Sequence, residues 1–111
     1  ICDRFYHSTI AYQGYGRGLD LGLIEAVNNI ATQGLRPDLI VLLNIAAEQG
    51  LARKRLRDRF EKEQIAFHQR VRQGYLEMAK KDPGRWLVID AALPKREIES
   101  LIWERVEQLL P

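Results

Sequence analysis

The stretch that decides the fold is Leu39-Ile40-Val41-Leu42-Leu43, a continuous apolar run directly after Pro37-Asp38. Such a run is typical of a strand that is covered on both faces in a parallel sheet. A second run of this kind, Trp86-Leu87-Val88-Ile89, lies between the turn signal Asp82-Pro83-Gly84 and Asp90. Helical patterns separate the two runs, so the sequence predicts an α/β fold with right-handed crossovers.

Helical patterns also flank the two strands. Asp20 is a candidate N-cap, and Gly34 closes the helix that starts there. Three apolar stripes at helical spacing are most simply core: Ile24, Val27 and Ala31; Phe67, Val71, Tyr75 and Met78; and Ile98, Ile102, Val106 and Leu109. Ile1-Cys2 is typical of the tail of a strand. The predicted order is strand, helix, helix, strand, helix, long helix, strand, helix, which is an α/β sandwich.

Composition places the chain among ordinary globular proteins, with 46% hydrophobic and 29% charged residues in a single 111-residue domain. A net charge of +2 is too small to imply a nucleic-acid partner. No run approaches the roughly 18 apolar residues of a membrane span. The single cysteine, Cys2, cannot form an internal disulfide, which favours a reducing, cytoplasmic setting. The opening Ile1-Cys2-Asp3 indicates a chain cut from a longer one.

The carboxyl ends of parallel strands are where ligands bind in open sheets. Three predicted strands end in polar residues there: Asp3-Arg4, Asn44 and Asp90. For Asn44 a structural cap is the favoured interpretation. Asp3 and Arg4 could form a local salt bridge, but the residues that follow them favour a ligand site.

Those residues are Ser8-Thr9-Ile10-Ala11-Tyr12-Gln13-Gly14-Tyr15-Gly16-Arg17-Gly18. With Asp3-Arg4-Phe5 they place a charged pair before a short helix and a glycine-rich turn, where one segment can hold a phosphate and a base. This run resembles the nucleoside-monophosphate site of bacterial thymidylate kinases, and the resemblance continues through 53–59 to Val88-Ile89-Asp90-Ala91. In that family the chain would be the C-terminal half of a P-loop kinase-type, three-layer parallel α/β sandwich. The N-terminal half, with its glycine-rich ATP phosphate loop, would be missing.

The resemblance implies phosphorylation of dTMP to dTDP by ATP with Mg²⁺. Arg4 would hold the dTMP phosphate, and Asp3 would lie by the magnesium and phosphates, acting through water. The position of Thr9 faces the thymine edge, and Tyr12 lies against the sugar, where its ring excludes ribonucleotides. The remaining dTMP-site residues that the resemblance implies are Ser8, Gln13, Arg17, Phe60 and Glu61.

A basic cluster at Arg53, Lys54, Arg55, Arg57 and Arg59 has two interpretations. It is either a solvated helix end or an anion clamp, since guanidinium groups match phosphate oxygens. By resemblance this segment is the lid that closes over ATP, and its downstream Asp58-Arg59-Phe60-Glu61 fits the family's Asp-Arg-x-Glu pattern. Arg59 would then be the first candidate to stabilise the transferring charge, and Arg53, Arg55 and Arg57, on the ATP side, would be the next candidates for that role. The lid is shorter than is usual in the family, or a stretch of it is missing from the sequence.

On the ATP side, Asp90-Ala91 resembles the family's turn around the adenine, where backbone groups make most of the contacts. His7 and His68 are interpreted as non-catalytic, and no metal site built wholly of protein ligands is expected. The resemblance further implies a homodimer. Another nucleoside-monophosphate kinase and a non-catalytic nucleotide-binding remnant remain as alternatives. The 111-residue chain alone is expected to be inactive, because its sequence contains no G-x-x-x-x-G-K-[ST] loop.

Overall fold

The computed structural model describes residues 1–45 and 61–111. In chain order its elements are helix α1 (Tyr6–Thr9), a π-helix (Ile10–Gly16), helix α2 (Leu21–Thr32), strand β1 (Ile40–Asn44), helix α3 (Glu61–Lys81), strand β2 (Trp86–Asp90) and helix α4 (Lys95–Leu109). Helix α1 runs directly into the π-helix, and the two together are called segment 6–16 below. In the described ranges, no helix is both long and apolar enough to cross a membrane.

Strands β1 and β2 pair in parallel, with Ile40 opposite Trp86 and Asn44 opposite Asp90. The α/β pattern with parallel strands is therefore confirmed, and β1 lies one residue later than its apolar run. The expectation that both faces are covered is wrong for the described residues. Val41 and Leu43 are exposed on one face and Val88 on the other. Helices α3 and α4 both pack on β2, which leaves much of β1 uncovered by them.

The core lies where segment 6–16, α3 and β2 meet. Its buried apolar residues are Ile10, Ala11, Val71, Ala79, Trp86 and Ile89. Two glycines bring the helices close together. A Cβ on Gly74 of α3 would lie 2.5 Å from the Tyr15 ring, and one on Gly16 would lie 2.7 Å from the Phe67 ring. A Cβ on Gly14 would likewise meet the Leu21 side chain of α2. The glycines at 14 and 16 therefore let this segment pack closely against both α2 and α3.

Helix α2 confirms both of its predicted ends. The backbone N–H of Leu23 donates a 3.1 Å hydrogen bond to the Asp20 carboxylate, as an N-cap does. At the other end Gln33 and Gly34 take left-handed conformations with φ of 55° and 76°. The predicted core stripe is wrong here, because Val27 is 56% exposed and only Ile24 of the three residues is partly covered.

The predicted core stripe on α4 is correct in part. Ile98, Ile102 and Val106 are half-buried, whereas Leu109 is exposed. The strand expected to end at Cys2 is wrong: residues 1 and 2 have no regular structure and Ile1 is exposed. Among the described residues the sheet contains only β1 and β2, which pair with each other and with no third strand. The short helix expected before α3 falls outside the described residues.

Candidate functional site

Segment 6–16 carries most of the predicted site residues, and α3 holds it near both ends. The hydroxyls of Ser8 and Tyr75 are 2.8 Å apart and share a hydrogen bond. Eight residues further along, the Arg70 Nε–H donates a 2.9 Å hydrogen bond to the Gly16 carbonyl. Between these two points the Tyr15 ring packs where Gly74 has no side chain. The π-helix between the ends is an irregularity that is frequent at functional sites.

Arg4 lies at the entrance to this segment in a strained backbone conformation. Its φ is 64°, in the left-handed region that is costly for a residue with a Cβ. The Cys2 thiol donates a 2.9 Å hydrogen bond to the Arg4 carbonyl. The guanidinium carbon lies 5.8 Å from the centroid of the Tyr12 ring, which is cation–π range. An exposed cation is thus held over an aromatic ring.

Tyr12 is the centre of a small aromatic cluster with α3. Its ring centroid lies 6.0 Å from that of Phe67 and 6.5 Å from that of His68, which meets it edge to face. Tyr12, Phe67 and His68 are all half-buried, so one part of each ring remains accessible. A flat apolar surface beside a guanidinium can bind a ligand that has both a ring and an anionic group.

Tyr75 lies behind this cluster. Burial raises the pKa of its phenol, while the hydrogen bond shared with Ser8 acts in the opposite direction. Smaller influences on the same pKa come from Tyr12, which raises it, and Arg4, which lowers it. Arg4, Ser8, Tyr12 and Tyr75 are therefore close enough to interact electrostatically, and the phenol stays neutral around pH 7.

The other predicted residues of this region occupy its surface. Asp3, Thr9 and Arg17 are exposed, and Gln13 is half-buried. The backbone N–H of Arg17 donates to the Tyr12 carbonyl at 3.1 Å and so ends the π-helix. Within the described part of the chain, no group of three or more His, Cys, Asp or Glu side chains is placed to hold a metal ion.

The two strand ends form a second group of predicted residues. The Arg72 Nε–H donates to the Asn44 amide oxygen at 2.7 Å, and the Ala91 N–H donates to the Asn44 carbonyl at 2.9 Å. Both carbonyl oxygens of Asn44 are therefore bonded within the chain, which agrees with the interpretation of Asn44 as a structural cap. The Asp90 carboxylate accepts a 2.9 Å hydrogen bond from the Ala92 N–H, which shapes the turn after β2.

The basic cluster belongs to the predicted lid. Arg53, Arg55, Arg57, Arg59 and Phe60 lie outside the described residues. Glu61 is the first residue of α3.

Sequence reasoning missed the contributions of α3 to this region. No sequence pattern singles out Arg70 or Arg72, and periodicity indicates only that Tyr75 belongs to an apolar stripe. The available signal was the Tyr75 hydroxyl itself, because a buried tyrosine in a stripe needs a polar partner. The hydroxyl-bearing Ser8-Thr9 was the nearest motif that could supply one.

A separate cleft of about 300 Å³ lies at the amino ends of the two strands. Its lining includes His7, Asn28, Arg36 and Trp86. The Asn28 side-chain nitrogen is buried there with no partner among the described residues. Burial lowers the pKa of His7, and the nearby Asp82 carboxylate partly offsets this.

Comparison with known proteins identifies a family for this chain. A family model described as thymidylate kinase matches residues 1–102. The thymidylate kinase of Synechococcus sp. (strain JA-2-3B'a(2-13)) is 48% identical over 111 residues, which are 100% of this chain and 54% of that relative. That of Nostoc punctiforme is 51% identical over 108 residues, covering 94% of this chain and 51% of the relative. That of Thermomicrobium roseum is 45% identical over 114 residues, covering 99% and 54%.

The matches extend along essentially the whole chain, including both strands, segment 6–16 and α3. The chain spans about half the length of the curated relatives it matches.

Proposed function

This chain belongs to the thymidylate kinase family, and from that premise we propose that the full-length protein transfers the terminal phosphoryl group of ATP to dTMP, giving ADP and dTDP. The observation that carries the proposal for this chain's own residues is Arg4 held over the Tyr12 ring at 5.8 Å. One arrangement thereby offers a cation for a phosphate and an aromatic surface for a nucleoside. The fold of the full-length protein is proposed to be the three-layer P-loop kinase sandwich, with 1–111 as part of one domain.

Segment 6–16 and its entrance form the proposed dTMP site. Arg4 binds the phosphate, Thr9 faces the thymine, and Tyr12 lies against C2′ of the sugar. Ser8, Gln13, Arg17, Phe60 and Glu61 complete the set. Arg4 suits its role because its guanidinium already lies over the Tyr12 ring before the phosphate arrives, so little reorganisation is needed.

The remaining residues are assigned to ATP and its metal. Asp90 and Ala91 lie at the adenine, and Arg53, Arg55, Arg57 and Arg59 contact the phosphates, Arg59 as the one that stabilises the transferring charge. The exposed Asp3 carboxylate, beside Arg4, suits a Mg²⁺ ion that takes one or two carboxylates and keeps several waters. When bound, that ion neutralises phosphate charge.

The chemistry asks the protein to position two phosphates and spread charge, with no side-chain nucleophile. Arg4 contributes to both binding and transfer, because its place at the entrance of a packed segment does not depend on closure of the site. A lid arginine engages chiefly when the site closes, so its removal should lower kcat more than affinity.

The test is turnover by the full-length protein with ATP, Mg²⁺ and a panel of nucleoside monophosphates, following ADP release. We expect dTMP to give the highest kcat/KM. Preference for another monophosphate would assign a different kinase, and binding of dTMP without turnover would assign a non-catalytic nucleotide-binding protein. The Tyr12→Ala variant should gain activity toward the ribose analogue relative to dTMP, because a steric barrier is removed. An unchanged ratio would make Tyr12 a packing residue only.

Assembly and location complete the proposal. We place the protein in the cytoplasm, where its exposed free thiol at Cys2 would stay reduced. We also propose a homodimer, supported by the exposed stripe on α2, in which Leu23, Val27 and Ile30 follow helical spacing and are 65%, 56% and 80% exposed. Light scattering of the full-length protein tests this, and a monomer at all accessible concentrations would contradict it.

A further inference from the structure

Helix α1 has no local means of fixing its own start. It contains four residues, and its N-cap residue Phe5 makes no side-chain capping bond. Even together with the π-helix that continues it, this helical segment is marginal by itself, because isolated helices shorter than about 12–15 residues seldom repay the cost of nucleation. Arg4, left-handed and directly before the N-cap residue Phe5, adds further cost. Something outside the segment must therefore hold this turn in place.

The Ser8–Tyr75 hydrogen bond is the polar contact that does so. It joins residues 67 positions apart and connects the middle of α1 to the middle of α3, at 2.8 Å and partly shielded from solvent. Ser8 directly precedes Thr9 and lies one helical turn before Tyr12, so fixing Ser8 fixes the register of both. The second bond from α3, between Arg70 and the Gly16 carbonyl, lies at the far end of the segment and does not reach this turn.

We propose that Tyr75 is a positioning residue of the dTMP site, whose hydroxyl holds Ser8 and thereby sets the places of Thr9 and Tyr12 beside Arg4. This inference rests on the proposed function. The ring of Tyr75 belongs to the apolar stripe of α3, and a phenylalanine would keep that packing. The positioning role therefore belongs to the hydroxyl alone.

The chain offers a matched control at Tyr15. This half-buried tyrosine also lies between segment 6–16 and α3, where its ring packs against Gly74. Within residues 1–45 and 61–111 its hydroxyl has no hydrogen-bond partner. Tyr75→Phe and Tyr15→Phe thus delete the same atom from the same helix interface, but only the first deletes a bond.

The experiment compares both variants with the wild-type full-length protein in steady-state kinetics with dTMP and ATP. We expect Tyr75→Phe to lower kcat/KM for dTMP about fivefold, the ratio that one neutral hydrogen bond is worth, and to leave KM for ATP unchanged. Tyr15→Phe should stay within about twofold of wild type, as substitutions away from such features do. In a Ser8→Ala background, Tyr75→Phe should cause no further loss, since the bond is already absent.

The outcomes separate this inference from the proposed function. An equal effect of the two phenylalanine variants, or a Tyr75→Phe loss that persists undiminished in the Ser8→Ala background, would overturn it while wild-type turnover of dTMP stands. A lower melting temperature for Tyr75→Phe with unchanged kinetics would reduce Tyr75 to a structural residue. Absence of dTMP turnover in the wild-type protein would overturn the proposed function, and this inference with it.

Discussion

Segment 6–16 and helix α2 follow each other in the chain and are built in opposite ways. Helix α2 has its signals in its own sequence, with the Asp20 cap at one end and two left-handed residues at the other. None of its residues is buried. Segment 6–16 has no such cap, contains a π-helix, and buries Ile10, Ala11, Gly14 and Gly16 in that part alone.

The difference shows how position can be specified. Local capping forms a regular helix such as α2 but does not determine where that helix lies relative to other elements. Tertiary contacts do determine this, as the contacts with α3 do for segment 6–16. A binding site needs the second kind of precision, because its residues must keep fixed distances to groups on other elements. Arg4 and most of the other proposed dTMP-site residues accordingly lie on or beside segment 6–16, and none lies on α2.

The largest effect should come from Arg4, at the entrance to segment 6–16. We expect Arg4→Ala to lower kcat/KM for dTMP about a hundredfold, the usual worth of one charge contact to a transition state. Arg36→Ala, in the cleft at the amino ends of the strands, removes the same charge and should stay within about twofold. Steady-state kinetics of the full-length protein measure both. Equal losses would point to a general effect of charge and contradict a specific role for Arg4.

A smaller effect, on stability, should distinguish the packing of the two regions. Gly74→Ala places a Cβ 2.5 Å from Cγ of Tyr15, and such overpacking costs about 1–3 kcal/mol, more than the gain in helix propensity of up to about 1 kcal/mol. Gly22→Ala in α2 meets only the Asp20 carboxylate oxygen, at 3.3 Å, and should change stability less. Denaturant unfolding of the full-length protein measures the free energies. A greater loss for Gly22→Ala would invert the comparison.

The N-cap of α2 tests its dependence on local signals. Asp20→Ala should lower the free energy of unfolding by about 1 kcal/mol, and Asp20→Asn should restore most of it, since asparagine also caps well. Because α2 carries no proposed site residue, kcat/KM for dTMP should change little at a temperature where both variants are folded. A marked kinetic loss there would mean that α2 helps to position the site.

The smallest effect should appear in the pH dependence of stability, through His7 of segment 6–16. Burial lowers the pKa of His7 in the folded state below its ordinary 6.5. The unfolded chain therefore takes up the proton first, so the free energy of unfolding should fall as pH drops below about 6.5 toward the folded pKa. Well above about pH 6.5 His7 is neutral in both the folded and the unfolded protein, so it no longer makes the free energy of unfolding depend on pH.

The control for this titration is the other histidine of the chain. His7→Gln should flatten the decline in the free energy of unfolding, measured by denaturant titration at several pH values. His68→Gln retains His7 and should retain that part of the decline. Identical pH profiles for wild type and His7→Gln would show that the burial of His7 has no thermodynamic consequence.

The same contrast explains what could be predicted from sequence. Both ends of α2 and both strands follow from residues that act locally, and the parallel pairing follows from the helical pattern between the strands. The π-helix and the Ser8–Tyr75 bond depend on contacts between distant residues, which periodicity does not reveal. The exposure of Val27 was missed for a related reason, because an apolar stripe predicts a face that can be covered and says nothing about what covers it.

For the site, sequence reasoning and resemblance selected Arg4, Ser8 and Tyr12, and the structure brings these three together. Sequence reasoning does not select Tyr75, Arg70 or Arg72, since each of them bonds to another residue of the chain and belongs to no motif. Residues that touch a ligand leave a motif in the sequence. Residues that hold the motif in place have no fixed spacing from it.

The left-handed backbone at Arg4 has a consequence for laboratory evolution. Glycine adopts that conformation without steric cost, and asparagine tolerates it better than arginine does. A library of variants screened only for survival after heating should therefore enrich glycine at position 4, and the enriched proteins would be heat-resistant but about a hundredfold less efficient with dTMP. Screening for turnover should return arginine to the same position. Heat resistance and turnover thus favour different residues at position 4, and any programme that improves one must monitor the other.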